Sequence, residues 1–256
     1  MSTKTFVIKR RSAEWHANRK NAVMNSFLRD GVEIFDGFRN DLRCQELMKD
    51  VHNYNKANDL PLIERPTRGR SLRYRVIDGD QVYYSLPRVV ALYDEVLKMV
   101  QVYDPKLIPL PNRTARLNVN VTPPRGEYRW HYDRNAVTAV LFLNEVQGGE
   151  IEMYPKFRFP VGTRKDGKLQ HLCDTAVRYV RPLLRSSVVR PSAGRLILMQ
   201  GDRCLHSVRR VEGLQERLSI IMAYDIPRHT FLSDLELNSY LYSRRPSRRN
   251  DPNYCA

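Results

Sequence analysis

The stretch NVNVTPPRGEYRWHYDRNAVTAVLFLNEVQGGEIEMYP, residues 118–155, decides how this chain is read. It opens on an alternating run: Leu117, Val119 and Val121 are apolar, with Asn118 and Asn120 between them. That period of two is the pattern of a half-buried strand. Proline and glycine then break the run, and YRWHYD, AVTAVLFL and EIEMY follow, each set off by turn residues. Downstream, RLILMQ, HSVRRV and RLSIIMAY repeat the texture. Short strands at close spacing, punctuated by Pro, Gly and Asn, predict an antiparallel sandwich or jelly roll.

Around this β core, at about residues 105–226, the rest of the chain reads differently. Residues 1–104 look mainly helical. A helix is expected over 12–29, capped by Ser12 and stopped by Asp30-Gly31, and another from Leu42 to about His52. A third is expected from Ser85 to about Tyr103. There Leu86, Val89, Val90, Tyr93, Val96, Leu97 and Val100 recur at steps of three and four, and Pro87 suits a first turn. Residues 32–35 read as a short strand and residues 59–80 as a basic hairpin or loop. Residues 156–186, with GTRKDGK, interrupt the core as an insertion, and 227–256 form a basic tail. The expectation is one integrated domain: mainly β, with a jelly-roll core and N-terminal helices packed on it.

Composition narrows the class. The chain has 256 residues, and a hydrophobic fraction of 42% is globular rather than disordered. No apolar run reaches the ~18 residues of a membrane span, and MSTKTFVIKRR lacks the apolar core of a signal peptide, so a cytoplasmic protein without membrane attachment is expected. Cys44, Cys173, Cys204 and Cys255 form no C-x-x-C pair and read as reduced thiols. The net charge of +15 favours acidic ligands, but it is spread along the chain, which reads as a solvated basic surface more than as a nucleic-acid footprint.

The chemistry starts at WHYDR, residues 130–134. On an extended strand side chains i and i+2 share a face, so His131 and Asp133 project together. His206, opening HSVRRV after a Gly-Asp turn, is the third candidate ligand. Two histidines and a carboxylate make the facial triad that leaves open positions on non-haem Fe(II), with zinc as the inorganic competitor. Trp130 and Tyr132 point the other way and read as packing residues. His16, His52, His171 and His229 lie in helical, inserted or peripheral segments, and Cys204 reads as a non-ligand. Arg217 and Ser219 share a face of the last strand. An inward guanidinium needs an anion, either an internal carboxylate or a bound one.

In order and spacing these residues resemble the iron(II)/2-oxoglutarate-dependent dioxygenases. Their double-stranded β-helix carries H-x-D, a distal His and a downstream Arg or Lys. The match runs from about Leu117 to Tyr224 and is nearest to the prolyl 4-hydroxylase-like branch: Asn120, Gly126, Tyr128, His131 and Asp133, then AVTAVLFLNE and Gly148-Gly149-Glu150. The resemblance implies that His131, Asp133 and His206 hold Fe(II). It also implies that Arg217, assisted by Ser219, grips the far carboxylate of 2-oxoglutarate. O2 would be the second cosubstrate, and succinate and CO2 the co-products. Asn118, Asn120 and Tyr128 are the further candidates for the cosubstrate pocket. Arg134 and the basic segment 65–75 are candidates for meeting or covering substrate.

Three departures bear on the substrate. Arg217 stands where prolyl hydroxylases proper carry Lys, and Val121 where a Tyr often follows the Asn, so a prolyl substrate does not follow. Asp133 is present, whereas halogenating members lack the carboxylate. Ala223 stands where nucleic-acid demethylases carry a second Arg. The expected activity is hydroxylation of an unactivated C–H in a small amino acid-like or natural-product substrate. The alternatives are a protein or peptide hydroxylase and, from another class, a non-catalytic basic protein that binds nucleic acid or anions on a jelly-roll scaffold.

Overall fold

The computed structural model describes residues 10–12, 27–65, 69–159, 161 and 168–227. Their strands fall into two sheets. The major sheet has nine strands. Its N-terminal strands are β1 (Arg10–Ser12), β2 (Val32–Asp36), β3 (Ile63–Arg65) and β4 (Leu72–Ile77). Its core strands are β5 (Ile108–Pro109), β6 (Leu117–Thr122), β8 (Val137–Phe142), β11 (Leu196–Met199) and β13 (Arg217–Asp225). The order is β1-β2-β11-β8-β13-β6-β4-β3, with β5 on the end of β13. The minor sheet has four strands in the order β10-β9-β12-β7. These are β7 (Tyr128–His131), β9 (Ile151–Tyr154), β10 (Ser187–Val189) and β12 (Leu205–Val208). Apart from the parallel β1–β2 pair, neighbouring strands run antiparallel. This is the double-stranded β-helix, with helices packed on the major sheet.

Alternation along the strands sorts the side chains into two interiors. On β13, Leu218, Ile220, Met222 and Tyr224 face the helices, together with Val119, Leu141 and Leu196. The opposite face of the major sheet meets the minor sheet: Val140, Phe142, Ile197 and Met199 pack against Ile151, Met153 and Val189. The helices are α1 (Asp41–Ala57), α2 (Gly79–Ser85), α3 (Pro87–Val100), α4 (Arg113–Arg116) and, in the insertion, α5 (Lys168–Val180). Helix α3 buries Val89, Leu92, Tyr93, Val96 and Val100, each contributing ~1.5–3 kcal/mol by leaving water. Tyr93 stacks on Tyr224 with centroids 4.8 Å apart, and their hydroxyls donate to Ala223 O and Tyr93 O, so both buried phenols are satisfied.

Several expected boundaries shift. Ser12 ends strand β1, where it is paired with Asp36; residues 13–26, over which the expected helix would run, lie outside the described residues, and 27–30 are helical up to Gly31, whose φ of 75° ends them. The helix expected from Ser85 is α3, which starts at Pro87, and a separate short helix, α2, precedes it. Helix α2 is closed at its start by the Asp78–Gln81 capping box, the chain breaks at Leu86, and Pro87 starts α3 at its first turn. Helix α1 runs past His52 to Ala57 because Asn40 caps its start and nothing breaks it before Asn58. The basic segment is a hairpin, β3–β4, and β4 joins β6. Strands β2 and β4 thus tie the N-terminal part into the core's hydrogen-bond ladder.

Candidate metal centre

Strand β7 ends at His131, and Asp133 sits in the loop beyond it, so the i, i+2 argument holds only for the first ligand. What brings the aspartate back is a backbone bond from Asp133 N–H to Gly201 O, 3.0 Å. His206 lies directly across the ladder from His131. The two rings stand 4.1 Å apart. Nε2 of His131 is 3.5 Å from Asp133 Oδ1, and Nε2 of His206 is 3.7 Å from Asp133 Oδ2. One donor atom from each of the three residues lies within 4.8 Å of the others. Ligands on one ion with bonds of ~2.1 Å stand ~3.0 Å apart when adjacent and ~4.2 Å when opposite, so the set fits a single cation.

The tautomers fit as well. Nδ1 of His131 lies 2.9 Å from Arg129 O, and Nδ1 of His206 lies 3.0 Å from Cys204 O. A carbonyl only accepts, so Nδ1 carries the proton in both rings and both Nε2 lone pairs face inward. Burial, then the neighbouring His131, pushes His206 down to about 4, which keeps it neutral near pH 7. Burial alone would raise Asp133, but the two histidines and a hydrogen bond from Thr138 hold it below the usual carboxylate range. A neutral imidazole and an ionised carboxylate are the forms that bind a cation.

The same cavity reaches Arg217, and Asn118, Asn120, Tyr128, Val140 and Ile151 line it too. Arg217 is 2% exposed. It donates to Ser219 Oγ at 3.1 Å and lies 4.9 Å over the Phe142 ring. Its Nε has no partner, and no carboxylate among the described residues pairs with it. Burial lowers its pKa to about 10, so it stays cationic near neutrality. A buried guanidinium without an internal anion fits an anionic ligand. Gly149 makes room for it: a Cβ there would come within 2.9 Å of Arg217 Cδ. Ser219 is buried beside Arg217 and pairs across the ladder with Asn120.

Other candidates separate cleanly. Cys204 is buried among Ile197, Met199 and Met153 and is not part of the ligand cluster. Trp130 and Tyr132 pack with Phe157 and Leu205 outside the minor sheet, although Tyr132 also reaches the cavity wall. Arg134 is buried at the cavity. His52 is exposed on α1, while His16, His229 and the side chain of His171 lie outside the described residues.

Two groups escaped the sequence reading. Thr138 Oγ1 donates to Asp133 Oδ2 at 2.6 Å, and Asn135 stands behind it. Thr138 shares the inward face of β8 with Val140 and Phe142, a parity visible in AVTAVLFL. The second is a clamp on the outer face of the minor sheet. Glu152 takes hydrogen bonds from Arg70, Arg209 and Ser186, and Arg70 also reaches Ser207. Arg70 and Arg181 stack against Trp130, at 5.1 and 4.8 Å from its ring centroid. This fastens the β3–β4 hairpin, whose Tyr74 and Val76 form part of the cavity wall.

Comparison with known proteins places these features in context. Residues 117–224 match the sequence model of the 2OG-Fe(II) oxygenase superfamily. No curated protein matches the sequence closely enough to count as a relative. Three solved structures share the fold at low identity. The α-ketoglutarate-dependent carbocyclase SnoK from nogalamycin biosynthesis aligns with TM-score 0.64 and 11% identity, over 84% of this chain and 86% of its own. The epimerase SnoN in complex with Fe3+, α-ketoglutarate and nogalamycin RO gives 0.63 and 14%, over 86% and 92%. A prolyl hydroxylase from Trichoplax adhaerens, in complex with a hypoxia-inducible-factor peptide, gives 0.58 and 16%, over 85% and 96%. The matched stretch, 117–224, holds the H-x-D, the distal His and the Arg. Among the described residues no helix is long and apolar enough to cross a membrane.

Proposed function

We propose that the protein is an Fe(II)/2-oxoglutarate-dependent oxygenase that hydroxylates an unactivated C–H of a small amino acid-like or natural-product substrate. The balance is substrate, O2 and 2-oxoglutarate in, and hydroxylated substrate, succinate and CO2 out. One observation carries the reading: a two-histidine, one-carboxylate cluster and a buried guanidinium that has no carboxylate partner among the described residues line one cavity. Fe(II), when bound, supplies the centre at which O2 is reduced as 2-oxoglutarate is decarboxylated.

The chain's own groups do the rest. His131, Asp133 and His206 would hold the metal through their two Nε2 atoms and the carboxylate. Arg217 grips the far carboxylate of 2-oxoglutarate, and Ser219 orients the guanidinium through its hydrogen bond. Asn118 and Asn120 present amides along the cavity between these ends. Tyr74, Val76, Leu110, Ala115 and Ala223 form a largely apolar wall that excludes water and seats a compact substrate. A peptide substrate is the second reading, supported by the prolyl hydroxylase that shares the fold.

The test is a screen for substrate-stimulated succinate formation across amino acids, peptides and secondary metabolites, with product masses recorded. Stimulation by a small molecule that gains one oxygen is the expected result. A product that loses two hydrogens, or keeps its mass, would replace hydroxylation by desaturation, ring closure or epimerisation. Stimulation by peptides alone would replace the substrate class.

A further inference from the structure

The two oxygens of Asp133 stand almost equally far from the histidines, Oδ1 at 3.5 Å from His131 Nε2 and Oδ2 at 3.7 Å from His206 Nε2. Distance alone does not choose which oxygen meets a metal, or whether both do. The choice matters chemically. Three protein ligands on a six-coordinate ion leave three positions. A second carboxylate oxygen on the metal would leave one position fewer for the cosubstrates.

We propose that Thr138 and Asn135 are positioning residues that hold Asp133 as a one-oxygen ligand. The proposal rests on the reading of this site as an Fe(II)/2-oxoglutarate centre. The direction of each hydrogen bond follows from its neighbour. Asn135 Nδ2 lies 2.7 Å from Val137 O, a pure acceptor, so this end of the amide is the nitrogen. The same Nδ2 lies 2.9 Å from Thr138 Oγ1, so the hydroxyl oxygen accepts there. Its single proton then points to Asp133 Oδ2, 2.6 Å away, in a short charge-assisted bond. Oδ2 is thereby occupied, and Oδ1 is left for the metal.

The relay is built in tightly. A Cβ on Gly201 would come within 2.7 Å of Thr138 Oγ1, 2.8 Å of Asn135 O and 3.0 Å of Asp133 Cβ. The turn before His206 therefore presses bare backbone against all three residues. It is bonded to the same segment as well: Asp133 N–H donates to Gly201 O, Gly201 N–H to Ala136 O, and Asp202 N–H to Asn135 O. The segment bearing one histidine thus fixes the rotamer of the carboxylate from the other.

The experiment is an anaerobic titration of the full chain, first with Fe(II) and then with 2-oxoglutarate at saturating Fe(II). It follows the charge-transfer absorbance of the chelate, with a melting curve for each variant. Thr138→Val, nearly isosteric, is expected to weaken 2-oxoglutarate by about tenfold or more while Fe(II) affinity falls less. Thr138→Ser should restore binding to within about twofold. Asn135→Ala, which frees the hydroxyl to rotate, should weaken 2-oxoglutarate by about threefold and carries the test if Thr138→Val does not fold. Wild-type 2-oxoglutarate binding in Thr138→Val, or in Asn135→Ala where that variant carries the test, would overturn the proposal. A serine variant as weak as the valine one would also overturn it, because packing rather than the hydroxyl would then be the cause. Wild-type protein that gives no absorbance with Fe(II) and 2-oxoglutarate would sink the site reading itself, and the proposal with it.

Discussion

The major and minor sheets solve the same problem, covering an outer face, with opposite chemistry. Leu141, Leu196, Leu218, Ile220 and Met222 of the major sheet pack against the apolar stripe of α3. Those contacts are non-directional and grow with area. The minor sheet has a smaller apolar cover, Tyr132, Phe157 and Val177, and beside it the Arg70–Glu152–Arg209 cluster and two guanidinium groups on Trp130. Such contacts depend on geometry and lose value when one partner goes. The sheet with the directional cover also carries both histidines. The comparison teaches that stability resides mainly in the major sheet, while the minor sheet trades apolar cover for fixed orientation.

Four outcomes would break or sharpen that contrast. The largest is expected from Leu141→Ala, which opens a cavity under α3. It should cost about 3 kcal/mol, or roughly 6–12 °C of melting temperature, and leave 2-oxoglutarate affinity within about twofold. Calorimetry beside a ligand titration reads both quantities. A melting temperature that did not move would place the stabilising core elsewhere.

Arg217→Leu should do the reverse. Loss of charge-assisted bonds worth about 2–3 kcal/mol weakens 2-oxoglutarate by about a hundredfold. The melting temperature of the ligand-free chain should hold or rise, because a buried charge without an anion is removed. Marked unfolding instead would mean that the guanidinium serves the scaffold.

Glu152→Gln should cost about 1–2 kcal/mol by weakening three hydrogen bonds. Its effect on amide hydrogen exchange should be local, in β9, β12 and the β3–β4 hairpin. Equal deprotection in β6 and β13 would erase the distinction between the sheets.

The smallest effect is in the pH dependence. Burial would raise the carboxyl of Glu152, but bonds from Arg209, Ser186 and Arg70 outweigh it and bring it from 4.5 to about 2. A depressed folded value means that the unfolded chain takes up the proton first. The clamp's contribution is therefore complete above about pH 4.5 and is lost as pH falls toward 2. Melting curves of Glu152→Gln should converge on those of wild type across that window. A constant gap would show that ionisation of Glu152 does not contribute.

The same contrast explains what could be read from the sequence. A period-two run announced β6, while β8, β11 and β13 showed as short apolar runs bounded by turn residues, because strands buried on both faces need no alternation. His131, Asp133, His206 and Arg217 were legible as well, since few other roles call for such groups beside core strands. The Asn135–Thr138 relay and the Arg70–Glu152 clamp were not. The clamp's partners lie 34 to 137 positions apart and meet only through tertiary packing, while the relay is local and follows from the turn between Asp133 and Thr138, which no strand period records. Helix α2, Gly79–Ser85, was not read either, because seven residues are too few to show a helical period.

The central claim is that the His131–Asp133–His206 cluster binds the metal that drives 2-oxoglutarate turnover. Purified full chain, supplied with Fe(II), 2-oxoglutarate and air, tests it most directly through the succinate it releases. Wild type should form succinate only when Fe(II) is present, slowly even without substrate, and His131→Ala should lose about a hundredfold or more. Succinate release by His131→Ala at the wild-type rate would contradict the assignment.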